Sequence, residues 1–214
     1  MIVYFHGNFS DIFTDWKFIR ALIKRVQCDI LYVHYRGYET NAGTPCEEGL
    51  IRDAIGAMGW VTTQYPNKIV YVFGCSIGGS VVFHLVKKLS DKKKDDSVQI
   101  GGIIIQNTFT SIPDMIEERC ACCYWLISPI SYERWDNTKA IEDAQSHVPC
   151  LFLSSKKDTL VPPRMMRKLS NESYQEGCYD FVPFEKDHND IHHASGYYDS
   201  IAYFINHGIR KKGK

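Results

Sequence analysis

The sequence has no excess of charge of either sign, no long hydrophobic run and no internal repeat. Lysine and arginine number 25, as do aspartate and glutamate, so the formal net charge is +0 at pH 7. This balance gives no general attraction for nucleic acid, and we expect no nucleic-acid partner. No stretch supplies the roughly 20 consecutive apolar residues of a membrane-spanning helix. With 214 residues, the chain is expected to form a single domain, residues 1–214.

The sequence also lacks a readable secretory signal and a cysteine pattern typical of metal sites. The start, MIVYFHGN, has no basic segment, and its apolar run stops at His6. The eight cysteines are therefore expected to be reduced thiols. Cys120, Cys122 and Cys123 do not have the Cys-x-x-Cys spacing of zinc ligands. We interpret them as packing residues, with membrane contact or acylation as alternatives, and predict no metal site.

Short apolar runs alternate with helical patterns along the chain. Strands are predicted at Ile2–Phe5, Ile30–His34, Ile69–Phe73, Ile100–Ile105, Leu151–Ser154 and Tyr179–Phe184. Helices are predicted near Asp15–Val26, Pro45–Gln64, Gly78–Lys88, Pro162–Asn171 and Ser195–Ile209. The runs KIVYVF and IGGIIIQ are continuously apolar, which is typical of parallel strands covered on both faces. The sequence thus predicts an α/β fold: a doubly wound, mainly parallel sheet of about six strands with helices on both faces.

The stretch VFGCSIGG, residues 72–79, places Ser76 between glycines directly after a predicted buried strand and before a helix. A Gly-x-Ser-x-Gly match is weak by itself, and an inert turn is the alternative. Here the context is that of a nucleophile elbow, where small neighbours permit a tight turn that exposes the serine hydroxyl. We therefore predict Ser76 as a nucleophile.

A serine hydroxyl needs a base that is held by a third group, and in such folds the order along the chain is Ser, Asp/Glu, His. Asp158 follows the fifth predicted strand, and His188 follows the sixth. Both stand where parallel strands end, which is the edge at which ligands bind. The sequence predicts Asp158 as the orienting acid and His188 as the base.

Other histidines and acids near His188 offer alternatives. Asp187 and Asp190 flank it and are interpreted as surface residues or as supports of the loop. His192 and His193 are alternative bases, although they come later, toward the final helix. His188 and His192 are four residues apart and could share a metal, but no clear third ligand accompanies them.

Hydrolysis through an acyl-enzyme also needs N–H donors for the developing oxyanion. One is predicted at Ile77, the residue after the nucleophile, and the other at Asn8, in the loop after the first strand. Gly7 would let this loop approach a substrate closely.

Several motifs together resemble the alpha/beta-hydrolase superfamily, close to alpha/beta-hydrolase domain-containing protein thirteen and the Bem-forty-six-like proteins. They are YFHGN, YRGYE, EEGL, VFGCSIGG, QNTFTSIPDM, PCLFLSSKKDTLVPPRMM and DHND. The resemblance implies a serine hydrolase that uses Ser76, Asp158 and His188 without a cofactor. It implies that the family's first two strands are missing here, with the six remaining strands in the order 2-1-3-4-5-6. It also implies a short helical lid at residues 111–147, where Met115 and Trp125 either contact substrate or pack the lid.

The resemblance also suggests which substrates the protein acts on and where in the cell it is found. Esters or thioesters are the expected substrates, either small lipid-like molecules or acylated proteins. A serine peptidase and a non-catalytic binding or scaffold protein are the alternatives. We expect a cytoplasmic protein, with association at the endoplasmic reticulum or plasma membrane if a full-length form carries an N-terminal anchor.

Overall fold

A six-stranded parallel sheet forms the centre of the computed structural model, which describes residues 1–90, 99–119, 133–144, 148–172 and 179–208. The strands are β1 (Ile2–Phe5), β2 (Ile30–Val33), β3 (Val70–Cys75), β4 (Ile100–Gln106), β5 (Cys150–Ser155) and β6 (Tyr179–Phe184). Their order across the sheet is β2-β1-β3-β4-β5-β6, and every neighbouring pair is parallel. The predicted fold class and strand order are confirmed.

Helices cover both faces of this sheet. They are α1 (Ile12–Val26), α2 (Glu47–Gln64), α3 (Ile77–Ser90), α4 (Ile112–Arg119), α5 (Asn137–Ala144), α6 (Pro163–Glu172) and α7 (Tyr197–His207). A 3₁₀ turn, Ile191–His193, precedes α7. The side chains of α2, α3 and α6 share one core with one face of the strands, whereas α1 and α7 share a second core with the other face.

Three helices start two or more residues away from the predicted position: α2 starts at Glu47 instead of Pro45, and α1 and α7 differ for local reasons. Helix α1 begins three residues before Asp15, because Asp11 and Thr14 form a capping box in which each side chain accepts the other's backbone N–H. Helix α7 begins at Tyr197, two residues later than predicted, after the 3₁₀ turn has ended.

The third strand is longer at its carboxyl end than the sequence predicts. Gly74 pairs with Ile105 and Cys75 pairs with Gln106, so β3 continues two residues past Phe73. The extension matters for function because it leaves only Ser76 between the end of β3 and the start of α3.

The segment predicted as a lid contains α4 and α5, and α5 packs against α3 and α6. Asn137, at the start of α5, donates through Nδ2 to Ser80 Oγ (2.8 Å) and to the Phe109 carbonyl (2.7 Å). These bonds fasten this end of the segment to the domain. Trp125 and the three neighbouring cysteines lie outside the described residues, so the role of 111–147 as a lid stays a prediction.

Candidate active site

Ser76 occupies a left-handed turn between β3 and α3. Its φ angle is 53°, a region that non-glycine residues rarely adopt and that surrounding contacts must stabilise. The N–H of Ser76 donates to the Gln106 carbonyl (2.9 Å), and its carbonyl accepts from the N–H of Gly79 (2.9 Å) and from Thr108 Oγ1 (2.6 Å). The backbone of Ser76 is therefore fixed by these three hydrogen bonds.

Two glycines make this turn possible because side chains have no room there. A Cβ on Gly74 would lie 2.3 Å from the carbonyl oxygen of Gly78. A Cβ on Gly78 would lie 2.0 Å from the carbonyl oxygen of Phe5. Both contacts are with backbone atoms, so no change of rotamer could relieve them. The first turn of α3 thus lies directly against the end of β1.

His188 and Asp158 form a buried pair on the loops that follow β6 and β5. Their side chains meet at 2.6 Å between Nδ1 and Oδ2, and the two residues are only 7% and 8% exposed. The other carboxylate oxygen of Asp158 accepts the N–H groups of Leu160 (2.9 Å) and Val161 (2.7 Å). A carboxylate accepts hydrogen bonds, so in the tautomer that this contact favours Nδ1 of His188 carries a proton and Nε2 has the lone pair.

Asn107, which the sequence analysis did not single out, connects the loops that carry these residues. It follows β4 with a left-handed φ of 46°. Its Nδ2 donates to the His188 carbonyl (2.9 Å) and to Ser155 Oγ (2.9 Å), while its Oδ1 accepts the Ser155 N–H (2.8 Å). The available signal was an asparagine in NTFTS at a strand end, because asparagine tolerates the left-handed region.

Asp187 supports the loop of the base. Its Oδ1 accepts the N–H of His188 (2.7 Å) and of Thr159 (3.0 Å). These two hydrogen bonds hold the pKa of the Asp187 carboxyl below its usual value. Because its carboxylate is engaged with backbone on both the acid loop and the base loop, Asp187 positions these loops, whereas Asp158 is the carboxylate that contacts the imidazole.

The loop after β1 lies beside Ser76. A Cβ on Gly7 would be 3.6 Å from Cβ of Ser76, which is ordinary van der Waals contact. Asn8 is exposed, and its Oδ1 accepts the hydroxyl of Tyr38 (2.6 Å). Ile77 is the first residue of α3, and the first N–H groups of a helix have no acceptor within the helix. Ile77 therefore follows Ser76 directly in the chain, and Asn8 follows Gly7, the loop residue that lies near Ser76. Their roles as oxyanion donors stay predictions.

His6 stabilises the loop after β1 through a hydrogen bond and ring contacts. It is fully buried, and its Nδ1 donates to the Gly7 carbonyl (2.8 Å). Its ring stacks on Tyr32 (5.3 Å between centroids) and contacts Tyr35 (4.4 Å). Burial holds the pKa of His6 below its ordinary value, so the ring is neutral at physiological pH.

The alternative base His192 and the predicted substrate residue Met115 both pack against core residues. His192 packs edge-on against Phe18 of α1 (5.7 Å between centroids), and its ring lies 4.0 Å from that of His193. Met115 is partly buried and packs against the first core, so its contact with substrate stays a prediction. Across the described ranges, no group of three or more His, Cys, Asp or Glu residues could hold a metal ion.

A strained serine after one strand of a parallel sheet, with a hydrogen-bonded aspartate and histidine after two later strands, is the arrangement found in alpha/beta hydrolases. A family model described as alpha/beta hydrolase fold matches residues 2–147. That match covers more than half of the chain, and the chain belongs to this family.

Comparisons with known proteins show which members of this family the chain resembles. Protein bem46 of Schizosaccharomyces pombe is 33% identical over 210 residues, which cover 95% of this chain and 66% of that protein. Lysophosphatidylserine lipase ABHD12 of Xenopus tropicalis is 24% identical over 207 residues, which cover 87% of this chain and 51% of that protein. The structure of the Pyrococcus furiosus esterase Pf2001 superposes with a TM-score of 0.72 at 14% identity, over 98% of this chain and 83% of that one.

The chain is thus a Bem46-like alpha/beta hydrolase-fold protein. It spans about two thirds of bem46 and half of ABHD12. Within the ranges that the structure describes, no helix is both long enough and apolar enough to cross a bilayer.

Proposed function

We propose that this protein is a serine hydrolase that cleaves carboxylic esters or thioesters through an acyl-enzyme on Ser76. The observation that carries the proposal is the buried 2.6 Å contact between His188 Nδ1 and Asp158 Oδ2. It fixes the ring in the tautomer whose Nε2 can accept a proton. A histidine held in this way at the edge of the sheet where the half-buried Ser76 lies is what a nucleophilic serine requires.

The first half-reaction forms the acyl-enzyme. Ser76 Oγ bonds to the carbonyl carbon of the substrate as its proton passes to Nε2 of His188, which gives an imidazolium beside the Asp158 carboxylate. The bond from the carbonyl carbon to the leaving oxygen or sulfur then breaks, and the proton on Nε2 passes to that atom. Alcohol or thiol leaves, and the acyl group stays on Ser76.

The second half-reaction releases the acid. Water gives a proton to Nε2, and its oxygen bonds to the acyl carbon. The bond to Ser76 Oγ breaks, and the proton returns from Nε2 to the serine. In both halves the negative charge on the carbonyl oxygen would be stabilised by the N–H groups of Ile77 and Asn8. The proximity of Gly7 to Ser76 supports the assignment of the second donor.

We propose esters or thioesters with an acyl chain as the substrate class. The names of similar proteins include an esterase and a lysophosphatidylserine lipase, and a lipid ester or an acyl thioester on a protein would present the same carbonyl. We further propose that the segment 111–147, with Met115 and Trp125, contacts the acyl chain. No cofactor is part of the proposed reaction.

The experiment is covalent labelling with a fluorophosphonate, which reacts with activated serines, followed by mapping of the adduct by mass. Ser76→Ala and His188→Ala should abolish labelling while circular dichroism stays that of the wild type. Ser10→Ala is the matched control, because Ser10 Oγ belongs to the same loop region, 3.6 Å from the position of a Cβ on Gly7. It should label like the wild type.

The outcomes separate the candidates. Labelling confined to Ser76, with turnover of p-nitrophenyl esters or acyl thioesters, supports the hydrolase. Labelling that persists in Ser76→Ala, or none in a folded wild-type protein, overturns it and favours the non-catalytic binding protein. Turnover of peptide amides in preference to esters would favour the peptidase.

A further inference from the structure

An exposed aromatic patch lies on the loop after β1 and on the first turns of α1. Phe9 is 95% exposed, Phe13 is 84% exposed and Trp16 is 54% exposed. Phe13 and Trp16 are three residues apart on a helix and therefore lie on one face. Large aromatic side chains gain by burial, so a contiguous exposed set marks a contact surface. We call Phe9, Phe13 and Trp16 the aromatic patch.

The aromatic patch lies on the same edge of the sheet as Ser76. Helix α1 follows the carboxyl end of β1, and β1 neighbours β3, which ends next to Ser76. Phe9 is two residues after Gly7, where an added Cβ would lie 3.6 Å from Cβ of Ser76. A surface that bound the aromatic patch would therefore meet the protein beside its candidate nucleophile.

Basic side chains continue the same face of α1. Lys17, Arg20 and Lys24 are exposed and follow Phe13 at helical spacing of four, seven and eleven residues. The two acidic residues at the start of the helix are engaged elsewhere: Asp11 caps it, and Asp15 accepts the hydroxyl of Tyr32 (2.9 Å). The outward face of α1 thus has aromatic residues at one end and positive charge at the other.

A groove beside this face extends the positive region. It has a volume of about 500 Å³ and is lined by Lys17, Arg25, His192, His193 and one acidic residue, Asp199, among others. It opens between α1 and the segment that leads into α7. A groove with two permanent cations and one carboxylate favours an anionic group of headgroup size over a cationic one.

We propose that this face, the aromatic patch with Lys17, Arg20 and Lys24, docks onto the surface of a bilayer that contains anionic lipid. Helices that lie in the membrane interface combine aromatic side chains, which enter the headgroup region, with Lys and Arg, which attract anionic lipids. The positive charge distinguishes this occupant from a second copy of the chain, which would bring the same positive face. The docking is a binding property, and it goes beyond the proposed hydrolase chemistry.

The experiment measures co-sedimentation of the protein with vesicles of phosphatidylcholine alone and of an equal mixture of phosphatidylcholine and phosphatidylserine. The wild type should partition at least tenfold more strongly onto the anionic vesicles, and salt should weaken the binding. Phe13→Ala combined with Trp16→Ala should reduce the partition coefficient tenfold or more. Lys17→Glu combined with Arg20→Glu should remove the preference for anionic lipid.

Trp60→Ala is the matched control. Trp60 is 49% exposed, close to the value of Trp16, but it lies on α2, which covers the opposite face of the sheet. This variant should bind vesicles like the wild type. Because the substituted side chains point outward, each variant should retain the wild-type circular dichroism and melting temperature.

Three results would overturn the proposal. The first is a wild type that does not sediment with anionic vesicles. The second is Trp60→Ala losing as much binding as the double variant on α1. The third is self-association of the wild type that the α1 variants abolish, without vesicle binding, which would identify the occupant as a second copy. Binding is measured without turnover, so a failure here is distinct from a failure of the proposed hydrolase.

Discussion

Replacement of Gly78 by alanine should destabilise the protein because the position tolerates no side chain. The added Cβ would lie 2.0 Å from the Phe5 carbonyl oxygen, about 1 Å closer than the 3.0 Å limit that real Cβ atoms respect. Helix α3 would have to withdraw from β1. Overpacking costs typically 1–3 kcal/mol, and a rigid backbone contact belongs at the upper end, so we expect a loss of about 3 kcal/mol.

The measurement is thermal unfolding, together with the rate of fluorophosphonate labelling. For a chain of this size, each kcal/mol changes Tm by about 2–4 °C, so the expected decrease is about 6–12 °C. Labelling should slow as well, since Ser76 immediately precedes the helix that must move. Chemical denaturation should give the same change in the free energy of unfolding.

Gly56→Ala is the control for the substitution itself. Gly56 is exposed on α2, and a Cβ there would meet nothing within 4 Å. Alanine should stabilise the helix by about 0.5–1 kcal/mol, which raises Tm by about 1–4 °C. A Gly78→Ala protein that unfolds at the wild-type temperature and labels at the wild-type rate would refute the account of the elbow given above.

Three further perturbations test the surroundings of the site. Asn107→Ala removes hydrogen bonds to both loops. It should lower the free energy of unfolding in chemical denaturation by about 2–3 kcal/mol and slow fluorophosphonate labelling at least tenfold. Wild-type values of both would exclude a positioning role for Asn107. Burial lowers the pKa of His6 in the folded protein. As the pH drops below about 6.5, this histidine therefore becomes protonated in the unfolded chain before it does in the folded protein, which favours unfolding, and Tm should fall. His6→Asn, which keeps a donor for the Gly7 carbonyl, should make Tm depend less on pH. An unchanged dependence would mean that another group causes it. Burial raises the pKa of Cys75 to about 12, so native Cys75 should resist iodoacetamide at neutral pH while the exposed Cys46 reacts; mass mapping that finds both alkylated equally would contradict this.

Much of the scaffold could be predicted from local patterns. Short, mainly apolar runs located all six strands, and the continuous ones, KIVYVF and IGGIIIQ, indicated strands covered on both faces, which carry no polar alternation. Strand ends were less accurate: β3 continues to Cys75 only because Gly74 and Cys75 pair with β4, a partner that local sequence does not reveal. The start of α1 had a local signal in Asp11 and Thr14, and it could have been found.

The residues of the candidate site also differ in how well the sequence could predict them. The positions of Ser76, Asp158 and His188 at one edge of the sheet could be predicted, because Ser76 directly follows β3 and the other two lie in the loops after β5 and β6. Their catalytic roles stay predictions. Asn107 also follows a strand, but its role depends on Ser155 and His188, 48 and 81 residues away along the chain. The asparagine in NTFTS was a signal for the backbone conformation, but the partners of its amide leave no motif, since any nearby loop could supply them.

One consequence follows from the neighbouring bonds of Asn107 and Thr108. Thr108 donates a hydrogen bond to the carbonyl of Ser76, and Asn107 donates one to the carbonyl of His188. The candidate nucleophile and the candidate base are therefore both bound to two successive residues just after β4. When thermal motion displaces this end of the strand, both are carried in the same direction, and their separation changes less than either position. Alignment of the reacting atoms would then survive strain elsewhere in the sheet, and activity should be less sensitive to distant core substitutions than stability is.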